Sequence, residues 1–154
     1  MTRNIFIIIG LLIFTFVTAM AVKLVLSFSS YDNAELLNVG FAKLELKYTL
    51  NTGINFGLAA EATKSRQFLL AAIALVISLC LIIFASNDKI QRSVAIGLFS
   101  GGGIANAFER LAYGGVFDYL NASVVHLQNP FAFNLADIYI FIGAIMLLFQ
   151  QYKR

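Results

Sequence analysis

Residues 5–26 read IFIIIGLLIFTFVTAMAVKLVL, an unbroken apolar run with a single charge, Lys23. About 20 such residues wound into a helix cross the ~30 Å of hydrocarbon in a bilayer. The run is longer than the apolar segment of a cleavable signal peptide, and further runs follow it, so it is expected to be a retained helix although Arg3 precedes it. Three more segments meet the same length test: 67–85, about 93–111 and about 134–150. The third is diluted by Ser100, Gly101, Gly102, Gly103 and Asn106, which suits a helix buried inside a bundle, where small residues let backbones approach.

The composition of the whole chain agrees. Of its 154 residues 60% are hydrophobic and 12% charged, more apolar surface than a water-soluble domain of this length can hide. A net charge of +3, scattered along the chain, excludes a nucleic-acid-binding face. The basic residues instead set orientation. Arg3, the turn with Lys89 and Arg92, and the tail with Lys153 and Arg154 fall on one side of a four-span topology, the cytoplasmic side. Lys43, Lys47, Lys64 and Arg66 are balanced by Asp32, Glu35, Glu45 and Glu61, so the first long connection is free to lie outside.

That connection carries its own pattern. Leu44, Leu46, Tyr48 and Leu50 alternate with Glu45, Lys47 and Thr49, which predicts a strand with one apolar face. Before it, Asp32 or Asn33 is placed to cap a short helical turn containing Leu36 and Leu37. The expected fold is a membrane all-α core of four transmembrane helices with a small extracytoplasmic β element at about 31–60, one domain over residues 1–154, with both termini cytoplasmic. No internal repeat or proline-rich linker interrupts it, and Pro130 lies in the second outer connection.

Ionisable groups at membrane depth are costly and mark function by default. Glu109 and Arg110 close the third helix, Asp118 follows, and Asp137 opens the fourth. An outer hairpin joins these two helices, so both aspartates are expected at the same membrane face. Two carboxylates in one site do not both ionise cheaply; one keeps a proton while the other stays a base. Such a pair can activate a water against a peptide carbonyl and protonate the leaving group without metal or cofactor. Spacing alone also permits a structural role, with Asp137 capping its helix and Asp118 paired with Arg110. The lone His126 and lone Cys80 cannot assemble a zinc site; His126 reads as a solvated loop residue and Cys80 as a small buried hydrophobe.

Three motifs carry a family resemblance. Asn51-Thr52-Gly53-Ile54-Asn55-Phe56 resembles an Asn-x-Gly-x-x-Phe motif of the bacterial lipoprotein signal peptidases. Residues 101–118, GGGIANAFERLAYGGVFD, resemble that family's block of paired glycines, Asn, acid-Arg and catalytic Asp, and Phe133-Asn134-Leu135-Ala136-Asp137 resembles its second catalytic block. The resemblance implies a membrane aspartyl peptidase, with Asp118 and Asp137 catalytic and Asn51, Gly53, Asn106, Arg110 and Asn134 binding or bracing substrate. It implies a prolipoprotein substrate bearing a diacylglyceryl group, cut before the lipidated cysteine, and a location in the bacterial inner membrane. A monomer is the expected state, since the site is complete in one chain. The chain departs from the pattern at Ala19, where an Asp four residues before Lys23 is usual, at Ala105 for Gly, at Glu109 for Asp, and at Asn55 for a small apolar residue. Whatever the Asp at position 19 stabilises must be absent or replaced. Two other readings stay open: a non-catalytic lipoprotein-binding homologue, and a small proton-coupled transporter with a buried carboxylate.

Overall fold

The computed structural model describes residues 2–28, 34–53, 63–84, 90–124 and 127–151. In chain order the elements are α1 (Thr2–Ser27), β1 (Ala34–Asn38), β2 (Ala42–Asn51), α2 (Lys64–Phe84), α3 (Ile90–Tyr113), β3 (Val116–Val124), β4 (Leu127–Phe133) and α4 (Leu135–Gln151). The protein is thus mostly helical with one small antiparallel sheet. Each helix covers one of the expected apolar segments. The runs Asn4–Ser27 and Lys64–Ile83 are long and apolar enough to cross a membrane, while the apolar run of α4, Leu135–Phe149, is shorter.

The glycine-rich α3 sits at the centre, with α1, α2 and α4 packed around it. A side chain at Gly102 would collide with the Ala136 carbonyl and Ile140 of α4, and one at Gly143 would lie 2.7 Å from both the Ala95 carbonyl oxygen and the Phe99 amide of α3. The α3–α4 crossing therefore closes backbone to backbone, as small residues permit. Ala19, Ala105 and Ala136 meet where α1, α3 and α4 converge. The departures at 19 and 105 thus fall in one apolar contact. Cys80 corrects an expectation: it is exposed rather than buried, because α2 packs chiefly on α3 and turns the rest of its surface outward.

The sheet has strand order β1-β2-β3-β4, all antiparallel. Leu36 and Leu37 lie in β1, not in a helical turn; the strand pairs with β2 in extended form, with Leu37 opposite Leu44 and Leu36 at a register shift. Asp32, Asn33, Asn55 and His126 lie outside the described residues. The second outer connection, expected only as a hairpin between helices, supplies β3 and β4. Pro130 is accommodated because β4 is an edge strand.

The one-faced apolar strand also needs correction. Leu44 pairs with Ala122 and Leu46 with Leu120, but a register shift follows, after which Thr49 pairs with Asp118, Leu50 with Phe117 and Asn51 with Val116. The bulge over Lys47 and Tyr48 absorbs one residue and reverses the alternation beyond it. Leu44 and Leu46 share a face with Asp118, whereas Leu50 shares the other with Phe117, against whose ring Tyr48 packs at 5.4 Å between centroids. The consequence reaches the site: Asn51, rather than Leu50, faces the way Asp118 faces.

Candidate active site

The site forms where β2, β3 and the ends of α3 and α4 meet. Helix α3 ends on Gly114, whose φ of 74° and amide bond to the Arg110 carbonyl (3.1 Å) make a left-handed glycine cap. The chain then turns directly into β3 and delivers Asp118, 2% exposed, to the bundle end.

Helix α4 begins with a reciprocal cap. Asn134 Oδ1 accepts the amides of Ala136 (2.8 Å) and Asp137 (3.2 Å), while the Asn134 amide donates to Asp137 Oδ2 (2.9 Å). The capping role weighed for Asp137 is therefore real, and it occupies one of two oxygens. The other, Oδ1, accepts from Asn106 Nδ2 at 2.7 Å. Asn106 Oδ1 in turn accepts from Asn134 Nδ2 at 3.3 Å, and the same Nδ2 donates to Asp118 Oδ1 at 2.9 Å. Asn51 Nδ2 donates to Asp118 Oδ2 at 2.9 Å, and its amide is oriented by Gly53, whose N–H donates to Asn51 Oδ1 at 3.0 Å. A continuous chain of neutral amides therefore links one carboxylate to the other. Each carboxylate oxygen receives a donor, and none of these donors is a cation.

Arg110 does not make the ion pair with Asp118 that spacing permitted. Its guanidinium donates to Gln67 Oε1 (2.8 Å) and to the Gly53 carbonyl (3.5 Å), within electrostatic reach of Asp118 and Asp137. Gln67 Nε2 also donates to the Thr52 carbonyl. Arg110 and Gln67 together clamp the end of β2 to α2 and α3. Asn51, Gly53, Asn106, Arg110, Asp118, Asn134 and Asp137, named from sequence, thus all lie in one hydrogen-bonded cluster. Sequence reasoning missed Gln67, whose signal was a polar side chain at the start of an apolar run.

It also left open what replaces an acid at position 19. Lys23 Nζ lies 2.7 Å from Glu109 Oε1 with both side chains buried (6% and 2% exposed), a close ion pair without hydrogen-bond alignment. Glu109 Oε2 accepts the Phe117 amide at 2.9 Å, one residue before Asp118. The acid of α3 therefore supplies the counter-charge for the lysine of α1 and holds the start of β3.

Burial pushes the Asp118 carboxyl from its ordinary 3.8 up to about 6, against the opposing pull of the Asn51 and Asn134 amides; the Asp137 charge raises it further and the Lys23 charge lowers it. Chemically this is a dicarboxylate acid–base centre at one end of an apolar helical bundle.

Comparison with known proteins gives that class a family. The family described as signal peptidase (SPase) II matches residues 7–153. A lipoprotein signal peptidase of Ectopseudomonas mendocina (strain ymp) is 34% identical over 131 residues, 81% of this chain and 74% of that protein. One from Pseudomonas fluorescens is 36% identical over 109 residues, 67% of this chain and 62% of that protein. Two solved bacterial membrane enzymes share the fold. One has a TM-score of 0.71 at 20% identity, covering 95% of this chain and 87% of its own; the other has a TM-score of 0.68 at 22% identity, covering 98% and 93%. The chain belongs to the signal peptidase II family and is a bacterial membrane protease of that type.

Proposed function

We propose that this protein is an aspartyl endopeptidase that removes the signal peptide from diacylglyceryl-modified prolipoproteins, cutting before the lipidated cysteine, with Asp118 and Asp137 as its catalytic pair. The observation that carries this reading is the amide chain Asn51–Asp118–Asn134–Asn106–Asp137, which holds two carboxylates together with no cation among the described residues bonded to either. Asp118, pushed up to about 6, is the member better suited to hold a proton. Asp137 sits in the first turn of α4, where a helix N-terminus favours negative charge. Asp137 accordingly takes the proton from an attacking water while Asp118 donates to the carbonyl oxygen or the leaving amine.

In this reading residues 1–154 form one integral domain, the four helices span the inner membrane with both termini cytoplasmic, and the sheet lies outside. The protein acts as a monomer in contact with lipid. Exposed Leu36, Leu37, Val39 and Phe41 at the β1–β2 hairpin suit a surface resting on the outer leaflet over the substrate cleft. An added Cβ at Gly53 would meet no described residue within 4 Å, which suits passage of a peptide. A proton-coupled transporter would need a carboxylate near the middle of a span, whereas Asp118 stands on a strand and Asp137 at a helix start.

The test is cleavage of a diacylglyceryl-modified prolipoprotein by the purified protein in detergent, beside Asp118→Asn and Asp137→Asn. The parent is expected to cut and both folded variants to be inactive. A folded parent that binds substrate without cutting would instead identify a binding homologue.

A further inference from the structure

The start of α4 holds an arrangement that its own cap does not explain. The first amides of a helix have no partner within it. Here Asn134 Oδ1 takes those of Ala136 and Asp137, and the Asn134 carbonyl takes that of Ile138 at 3.3 Å. The Leu135 amide is left over, beyond reach of the reciprocal cap. It donates instead to the hydroxyl of Tyr119 at 3.0 Å, and Tyr119 is 3% exposed on β3. Consecutive residues of β3 therefore grip consecutive residues at the head of α4: Asp118 through Asn134, and Tyr119 through Leu135.

We propose that Tyr119 is a positioning residue for the peptidase reaction: by accepting the Leu135 amide proton it locks the start of α4, and with it Asp137, to the strand that carries Asp118. The inference rests on the catalytic pair proposed above. Burial pushes the phenol up to about 12, so it stays neutral and brings no third negative charge to the pair. A phenylalanine would fill the same space yet leave a helix-end amide without its acceptor and the two aspartates linked through the asparagine side chains alone.

The experiment measures kcat and KM for cleavage of a diacylglyceryl-modified prolipoprotein by the parent, Tyr119→Phe, Leu135→Pro and the double variant. Proline removes the same bond from the helix side at the first helical position, where it is well tolerated. Loss of one hydrogen bond that sets the carboxylate spacing is expected to lower kcat roughly tenfold, equivalent to about 1.4 kcal/mol, with KM changed by less than about twofold. The double variant is expected to lose no more than either single variant, since both delete one interaction. A kcat for folded Tyr119→Phe equal to the parent's, a change confined to KM, or losses that multiply in the double variant overturns the inference. Should Tyr119→Phe fail to fold, Leu135→Pro decides alone, and a parent-like kcat there is fatal to it. A parent that does not cleave removes the peptidase reading and this inference together; a parent that cleaves while Tyr119→Phe matches it removes this inference only.

Discussion

Replacing Glu109 by Gln keeps the shape of the side chain and an acceptor for the Phe117 amide but strands the Lys23 ammonium. At 2.7 Å the attraction between the two charges is about 6 kcal/mol at an effective dielectric of about 20. Most of that offsets the cost of taking both ions out of water, so the pair adds little net stability while it is intact. Breaking it is different. Lys23 is 6% exposed on its side chain, and its ammonium has no aligned hydrogen bond among the described residues. Glu109→Gln should therefore destabilise the fold by about 3–5 kcal/mol. Lys23→Met should cost less, because the remaining carboxylate keeps the hydrogen bond of the Phe117 amide. The double variant Lys23→Met, Glu109→Gln should recover most of the loss. Thermal unfolding in a single detergent, followed by circular dichroism, measures all four proteins. Single variants as stable as the parent, or a double variant worse than both, would refute the argument that this ion pair is dry.

Three further outcomes are expected. Asp118 binds its proton more tightly folded than unfolded, so its contribution to stability is complete below about pH 4 and lost as pH rises through about 6, a total of about 3 kcal/mol. Asp118→Asn should thus unfold at a higher temperature than the parent at pH 8 while being inactive, the gap closing toward pH 4; a parent whose stability does not fall between pH 4 and 8 contradicts this. Gly143→Ala should cost about 1–3 kcal/mol, because the new methyl meets the Ala95 carbonyl and the Phe99 amide, backbone atoms unable to step aside; parent-like unfolding would show that α3 and α4 are less closely joined. Gln67→Ala should lower kcat/KM by about tenfold through loss of the Arg110 and Thr52 bonds, and unchanged kinetics would mean that this clamp does not shape the site.

The helices and the composition of the site were legible in the sequence for physical reasons that act locally. Apolar runs long enough to cross hydrocarbon locate helices irrespective of what they touch, and the Asn134-to-Asp137 spacing is that of a reciprocal cap, whose partners lie within one turn. The motifs around Asn51, Asn106, Asp118 and Asp137 named residues that the fold brings into one network. What only the tertiary structure decided depends on partners far apart in the chain. The alternation from Leu44 to Leu50 assumes an unbroken register, and the bulge that turns Asn51 toward Asp118 arises from pairing with β3, which no pattern within β2 encodes. Lys23 finds its counter-charge on α3 rather than one turn away on α1, Gln67 finds Arg110, and Tyr119 finds an amide left over from another element's cap. A buried polar group must be satisfied by whatever the packing brings within about 3 Å, so its partner is fixed by three-dimensional proximity rather than by spacing along the chain.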